Sequence, residues 1–250
     1  MNPAPVALIT GSGKKRVGAT VAEAFARRGY SIALHYRTSA GEARETAEGI
    51  AGFGVAVEVF QADLAEESEV NTLVDAVFAR FGRVDVLVNA AAIWKRKALE
   101  AITAADVKSH FDANALGTFL MCQRVGLKMV AQSTGGVIVN IGDWAEVRPY
   151  LGYAAYFPSK GAVTALTRSF AVELGTRNPR VRVNAILPGP VMLPADLPEE
   201  ECRRAIDATL VKREGSPENI AQAVLALVEN DFITGVCLPV DGGRTIYAPE

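Results

Sequence analysis

The chain has 250 residues, half of them hydrophobic and 22% charged, which supplies ample material for a core and fits one large α/β unit. A formal net charge of −2 gives no basic footprint, so nucleic acid is not an expected partner, and no apolar run approaches the roughly 18 residues of a membrane span. The stretch Met1–Ile9 lacks the basic segment and apolar length of a signal peptide, so a soluble cytoplasmic protein is expected.

Short runs rich in Val, Ile and Leu alternate with longer amphipathic stretches along the chain. The first predicted strand, Val6–Ile9, leads through Thr10-Gly11-Ser12-Gly13-Lys14-Lys15-Arg16-Val17-Gly18 into a helix over Gly18–Arg28. Glycines let such a turn close tightly, and the helix start offers free N–H groups and a positive dipole to a pyrophosphate. The second strand, Ser31–His35, ends in His35-Tyr36-Arg37-Thr38-Ser39, with no acid before Glu42. A site selective for NAD carries an acid about there to hold the ribose diol. Arg16 and Arg37 instead suit a 2′-phosphate, with Ser39 adding a hydroxyl, so NADP(H) is expected.

Next come a helix over Gly41–Gly52, a strand over Ala56–Gln61, a helix over Glu66–Phe81 and a strand over Val84–Val88. Asp63 follows the third strand, where its carboxylate can accept from an adenine amino group. Asn89-Ala90-Ala91 follows the fourth, with small residues where backbone passes close to a ligand. Both lie at carboxyl ends of strands, where open α/β sheets bind ligands.

A helix over Ala105–Ala131, a strand over Val137–Ile141 and a helix over Ala154–Thr176 are expected next. In the last, Tyr156-Phe157-Pro158-Ser159-Lys160 puts a phenol and an ammonium on one helical face. A free phenol titrates near about 10, and a nearby cation is expected to lower that and make the tyrosine a usable acid or base. Pro158 demands a position near the helix start. Beyond a strand over Arg182–Leu187, Pro188 to Pro198 carries four prolines and reads as a loop, a lid over a pocket within a substrate segment of about 188–210. A helix over Pro217–Glu229 and a strand over Val236–Val240 complete the pattern. The repeated β-then-α order predicts one doubly wound Rossmann-type α/β domain over residues 1–250, with a seven-stranded, mostly parallel sheet flanked by helices. Cys122, Cys202 and Cys237 are widely spaced and are expected as buried free thiols. With only His35 and His110 for imidazole, no metal site is expected.

Taken together, Thr10-Gly11 to Gly18, Asp63-Leu64, Asn89-Ala90-Ala91, Asn114, Tyr156 with Lys160, Pro188-Gly189, and Thr234-Gly235 with Val240-Asp241-Gly242-Gly243 resemble the short-chain dehydrogenase/reductase family over nearly the full length. The resemblance implies Tyr156 as proton donor, Lys160 holding the nicotinamide ribose, and Asn114 supporting a water-linked proton path. It implies further cofactor contacts at Gly11, Lys15, Arg16, Val17, His35, Tyr36 and Leu64, and at Pro188, Gly189 and Val191. It also implies a homotetramer.

One departure is informative. The family's usual serine, 13 residues before the tyrosine, is here Asp143. An ionised carboxylate only accepts hydrogen bonds, so it suits a substrate edge rich in N–H donors better than a ketone oxygen. The pteridine reductase branch is similar in having Asp there. Lys15-Arg16-Val17-Gly18, His35-Tyr36 and Gly152-Tyr153 agree with that branch. Trp94 stands where an aromatic stacks on the pterin, and Arg16 and Met192 are further candidate substrate contacts. The turn carries one extra residue, and Asn89-Ala90-Ala91-Ala92-Ile93 lacks a second Asn and a Ser that the branch has.

The expected reaction is hydride transfer from NADPH to the carbon of a dihydropterin or dihydrofolate C=N bond. The nitrogen then takes a proton from Tyr156, from water, or from Asp143 if burial raises its pKa. The alternatives are a carbonyl reductase of the 3-oxoacyl-thioester or sugar-alcohol kind and a non-catalytic NADP(H)-binding sensor.

Overall fold

The computed structural model describes residues 4–193 and 197–247, and its seven strands form one parallel sheet. They are β1 (Val6–Thr10), β2 (Ser31–Tyr36), β3 (Val57–Gln61), β4 (Val86–Asn89), β5 (Gly136–Ile141), β6 (Val181–Pro188) and β7 (Cys237–Val240). Their spatial order is β3-β2-β1-β4-β5-β6-β7, with every pairing parallel. The chain winds outward from β1 to β3, returns to place β4 beside β1, and winds out the other way to β7. That reversal opens a crevice at the carboxyl ends of β1 and β4, where such sheets receive ligands. The expected doubly wound α/β class is the observed one.

Every residue of β1 is buried, as its unbroken apolar run demands of a strand covered on both faces. On one face Ala7 and Ile9 pack with α1 (Val17–Ala26), α2 (Ala40–Ala51) and α8 (Pro217–Glu229). On the other, Leu8 and Leu87 pack with α3 (Glu67–Phe81), α5 (Gly117–Ala131) and α6 (Phe157–Gly175). The edge strands β3 and β7 are only partly buried.

Four local expectations need correction. The helix expected over Ala105–Ala131 is divided into α4 (Ala104–His110), a wider π-helical turn over Phe111–Leu116, and α5. Widened turns of this kind are common at functional sites, and this one carries Asn114. The segment after β6 is not all loop, because α7 (Glu199–Asp207) forms within it, its first turn filled by three glutamates that complement the helix dipole. The middle of the expected lid, residues 194–196, lies outside the described residues. Of the three free thiols only Cys122 is buried, and Cys202 and Cys237 are half-buried.

Helix α6 starts three residues later than its periodicity suggests. Tyr156 is its N-cap and Pro158 falls in the first turn, where a missing N–H is harmless. Among the described residues no helix is long and apolar enough to cross a membrane.

Candidate active site

The turn after β1 is pressed against the chain leaving β4. Gly11 has a φ of +66°, and a Cβ there would lie 2.6 Å from Ala91 Cα, so both the conformation and the space require glycine. Thr10 Oγ1 accepts the N–H groups of Ala90 and Ala91 at 3.0 and 3.1 Å, which fixes both strand ends together. Helix α1 has no acid in its first turn and no side-chain cap from Arg16. Its first N–H groups and dipole therefore remain available beside the exposed Lys15 and Arg16, while Val17 packs inward. This donor set fits a pyrophosphate. At the end of β4 the buried Asn89 donates from Nδ2 to Asn140 Oδ1 at 2.9 Å, and its Oδ1 has no hydrogen-bond partner among the described residues.

His35 offers nothing to a cofactor. It is buried, its Nδ1 accepts the Gly11 N–H at 3.1 Å, and its Nε2 donates to the Ala62 carbonyl at 3.0 Å. It braces the glycine turn from beneath. Burial pushes its pKa down to about 4 from the ordinary 6.5. Between those pH values the unfolded chain binds a proton that the folded one rejects. Stability therefore falls as pH drops through that window, by about 3 kcal/mol in all. Urea unfolding at pH 7 and pH 5 is expected to show about 2 kcal/mol of this loss in the parent and a flatter response in His35→Asn.

At the end of β2 the half-buried Tyr36 and Ser39 Oγ flank Gly13, where a Cβ would come within 2.8 and 2.7 Å of them. Arg37 is exposed and pairs with Asp63 at 3.6 Å, so two residues expected to grip different parts of a nucleotide face one another. Asp63 also accepts the Ala65 N–H at 3.0 Å. Leu64 departs from expectation: its side chain is in the core, beneath Gly117.

Asn114 is a clamp. Its Oδ1 accepts the Ile93 N–H at 2.8 Å, and its Nδ2 donates to the Ile93 carbonyl and to Ser159 Oγ, both at 3.0 Å. Both amide hydrogens are engaged, so a water on the expected path would bond to the Asn114 main chain and not to these N–H groups. What Asn114 does is hold the segment that leads into Trp94.

The candidate catalytic side chains meet where β5 ends. Asp143 Oδ1 accepts the Ala145 N–H at 2.8 Å, and Oδ2 accepts the Tyr156 hydroxyl, also at 2.8 Å. Lys160 stands one turn along α6, its N–H bonded to the Tyr156 carbonyl at 3.2 Å and its Nζ donating to the Ile141 carbonyl at 2.8 Å. Tyr156 and Lys160 are 6% and 4% exposed. Burial first, and then the Asp143 charge, hold the phenol well above 10. That reverses the expectation of a cation-lowered phenol: the group against its hydroxyl is a carboxylate. Burial lowers the Lys160 ammonium to about 8, against the opposing pull of Asp143 and Glu146. Burial also raises Asp143, partly offset by the Ala145 N–H, the Tyr156 hydroxyl and Lys160. Glu146, which the sequence reading passed over, is a second acid raised by burial and accepts the Thr164 hydroxyl at 2.6 Å.

Aromatic rings line one side. Trp94, 42% exposed, stacks on Tyr153 at 5.4 Å and 11°, and Tyr153 packs edge-on to Tyr156 at 6.3 Å. Tyr153 thus links the rings of Trp94 and Tyr156. Beyond β6, Gly189 lies so close to Asp241 that a Cβ would come 2.5 Å from its Cα. Asp241 in turn accepts the Gly243 and Thr245 N–H groups at 2.9 and 2.6 Å, which gives Val240-Asp241-Gly242-Gly243 a structural purpose. Pro188 ends β6, Val191 bridges to Gly215, and Met192 is exposed with a φ of 57°.

The crevice at the carboxyl ends of β1, β4, β5 and β6 thus brings together the Gly11 turn, Asn89 to Ala91, Asp143, and Pro188 to Val191, with Tyr156 and Lys160 entering from α6. Arg37, Ser39 and Asp63 stand at the β2 and β3 end of the same sheet edge.

Residues 12–245 match the family described as enoyl-(acyl carrier protein) reductase. The chain is 33% identical to 3beta-hydroxysteroid dehydrogenase 1 of Eggerthella lenta, covering 96% of this chain and 93% of that one. It is 34% identical to pteridine reductase 1 of Leishmania tarentolae, with 97% of each covered. A short-chain dehydrogenase from Burkholderia cenocepacia, solved in complex with NADP, superimposes with a TM-score of 0.88 at 30% identity, covering 97% and 98% of the two chains.

Proposed function

Because the chain belongs to the short-chain dehydrogenase/reductase family, and is thus an oxidoreductase built to bind a nicotinamide cofactor, we propose that it is an NADPH-dependent reductase of dihydropterin-type C=N bonds. The observation that carries this reading is the carboxylate of Asp143, buried and facing the cleft tyrosine where most of the family has an alcohol. A ketone oxygen brings lone pairs to that position and is repelled by an ionised acid. The amino-pyrimidinone edge of a pterin brings N–H donors, and its flat bicycle extends the pile begun by Trp94 and Tyr153.

A bound dihydronicotinamide supplies the hydride. Tyr156 supplies the proton to the substrate nitrogen; its raised pKa keeps the phenol protonated at neutral pH, the form an acid needs. Lys160, anchored on Ile141, holds the nicotinamide ribose, and Asn114 fixes the Ile93–Trp94 segment against which the pterin lies. Lys15, Arg16 and the α1 N-terminus hold the pyrophosphate. Arg37, with Arg16 and Ser39, would hold the 2′-phosphate, and Arg37 would then leave its ion pair with Asp63.

A second reading has an observation of its own. Burial raises the Asp143 pKa, and a protonated carboxyl can donate to a carbonyl as the family's serine does, so carbonyl reduction is the competing activity. NADPH and NADH consumption with a panel of dihydropterins, dihydrofolate and ketones separates them. The expected result is turnover of a dihydropterin with NADPH preferred; turnover of ketones alone would establish the competitor.

A further inference from the structure

His110 ends α4 immediately before the π-helical turn and is 3% exposed. Its Nδ1 lies 2.8 Å from the Asp106 carbonyl, one helical turn back. A carbonyl only accepts, so Nδ1 carries the hydrogen and leaves Nε2, across the ring, as an acceptor. Nε2 is buried and, among the described residues, has no hydrogen-bond partner. Native structures seldom leave such a group unmatched without a reason. The ring packs edge-on to Tyr156, with centroids 6.2 Å apart and planes at 68°. An unmatched imidazole nitrogen therefore sits beside the tyrosine proposed as the proton donor.

We propose that His110 is a positioning residue for Tyr156, its Nε2 holding one buried water that also bonds the Tyr156 hydroxyl oxygen. The inference rests on the reading of Tyr156 as the acid. The bonding is complementary at each atom. Tyr156 already donates its hydrogen to Asp143, so its oxygen has only lone pairs left to offer. A water that donates one hydrogen to Nε2 turns its other hydrogen toward that oxygen. Two hydrogen bonds of about 2.8–3.0 Å meeting at one water span a separation of about 4.5–5 Å, within the reach of two rings whose centroids are 6.2 Å apart, and two polar partners are the minimum for a stable internal water. When Tyr156 gives up its proton, the oxygen gains charge and the water already points a hydrogen at it. That bond strengthens in the transition state, in the manner of an oxyanion hole. His110 keeps the water in the donating orientation, because Nε2 can only accept from it.

Two variants separate this role from helix capping. In His110→Gln the amide oxygen reaches the place of Nε2 but abandons Asp106, whereas in His110→Asn the amide hydrogen replaces Nδ1–H and nothing replaces Nε2. With the active substrate, His110→Asn is expected to lose about ten- to hundredfold in kcat at unchanged KM and NADPH affinity, and His110→Gln to stay within about threefold of the parent. The reverse order, or two variants that both turn over like the parent, overturns the proposal. A high-resolution crystal structure of the parent with NADPH decides it independently of turnover, including where no substrate is found or both variants fail to fold. One water within hydrogen-bond distance of both His110 Nε2 and Tyr156 Oη supports it. No such water, or a protein atom bonded to Nε2, refutes it.

Discussion

Tyr156→Phe is expected to lower kcat/KM for reduction by about 10²–10⁴-fold while leaving NADPH affinity unchanged. The substitution removes one oxygen and keeps the ring, so the packing against Tyr153, Phe157 and His110 survives. What is lost is the only hydrogen that the cleft tyrosine can hand to a substrate nitrogen. The parent phenol holds that hydrogen firmly at neutral pH, because burial and the Asp143 charge both disfavour phenolate. Asp143 Oδ2 loses a donor in the variant, which favours its protonated form and offers a weak substitute acid. Steady-state NADPH oxidation with a fluorescence titration of cofactor binding measures both effects. Retention of more than about a tenth of parental turnover would move the role of acid from Tyr156 to Asp143.

Asp143→Asn is expected to reduce dihydropterin turnover by at least about a hundredfold, a loss of the size seen when a charged group that binds or stabilises a reacting edge is removed. The amide oxygen can still accept the Ala145 N–H, so the turn after β5 is preserved. The other position changes from acceptor to donor, so it meets a pterin N–H with the wrong polarity and turns the Tyr156 hydroxyl from its donor into its acceptor. Loss of the negative charge also lets the Tyr156 pKa fall from its raised value toward the ordinary one. The alkaline limb of the rate profile should therefore enter at lower pH than in the parent. Asp143→Ser restores the family's alcohol and is expected to lose pterin turnover while holding or gaining ketone turnover. If it gained both, the carboxylate would not be what selects the substrate.

The sheet was legible because its central strands are buried on both faces and read as mostly apolar runs, as in Val6–Thr10, and in Val181–Pro188 apart from Arg182 and Asn184. The glycine turn and the Tyr156–Lys160 spacing were legible because each has a fixed local geometry. The helix break at His110 was not, since Phe111–Leu116 contains no proline and its widening accompanies contacts made far along the chain, Asn114 to Ile93 and to Ser159. Helix α7 was hidden by the prolines before it, although Pro198 followed by Glu199-Glu200-Glu201 is a readable helix start. The expected role of His35 went wrong for a related reason. A histidine at a strand end looks free in sequence, and only the fold brings the Gly11 N–H and the Ala62 carbonyl to its two nitrogens. The raised phenol likewise depends on Asp143, 13 residues distant in sequence and 2.8 Å distant in space.

The most direct test is a crystal structure of the protein with NADPH and a dihydropterin or an unreactive pterin analogue. The account predicts N–H groups of the amino-pyrimidinone edge on the Asp143 carboxylate, the bicycle layered against Trp94, and Tyr156 Oη turned toward the nitrogen to be protonated. A pterin bound away from Asp143, or an Asp143 whose only contacts remain Ala145 and Tyr156 while the ring lies elsewhere, would contradict it.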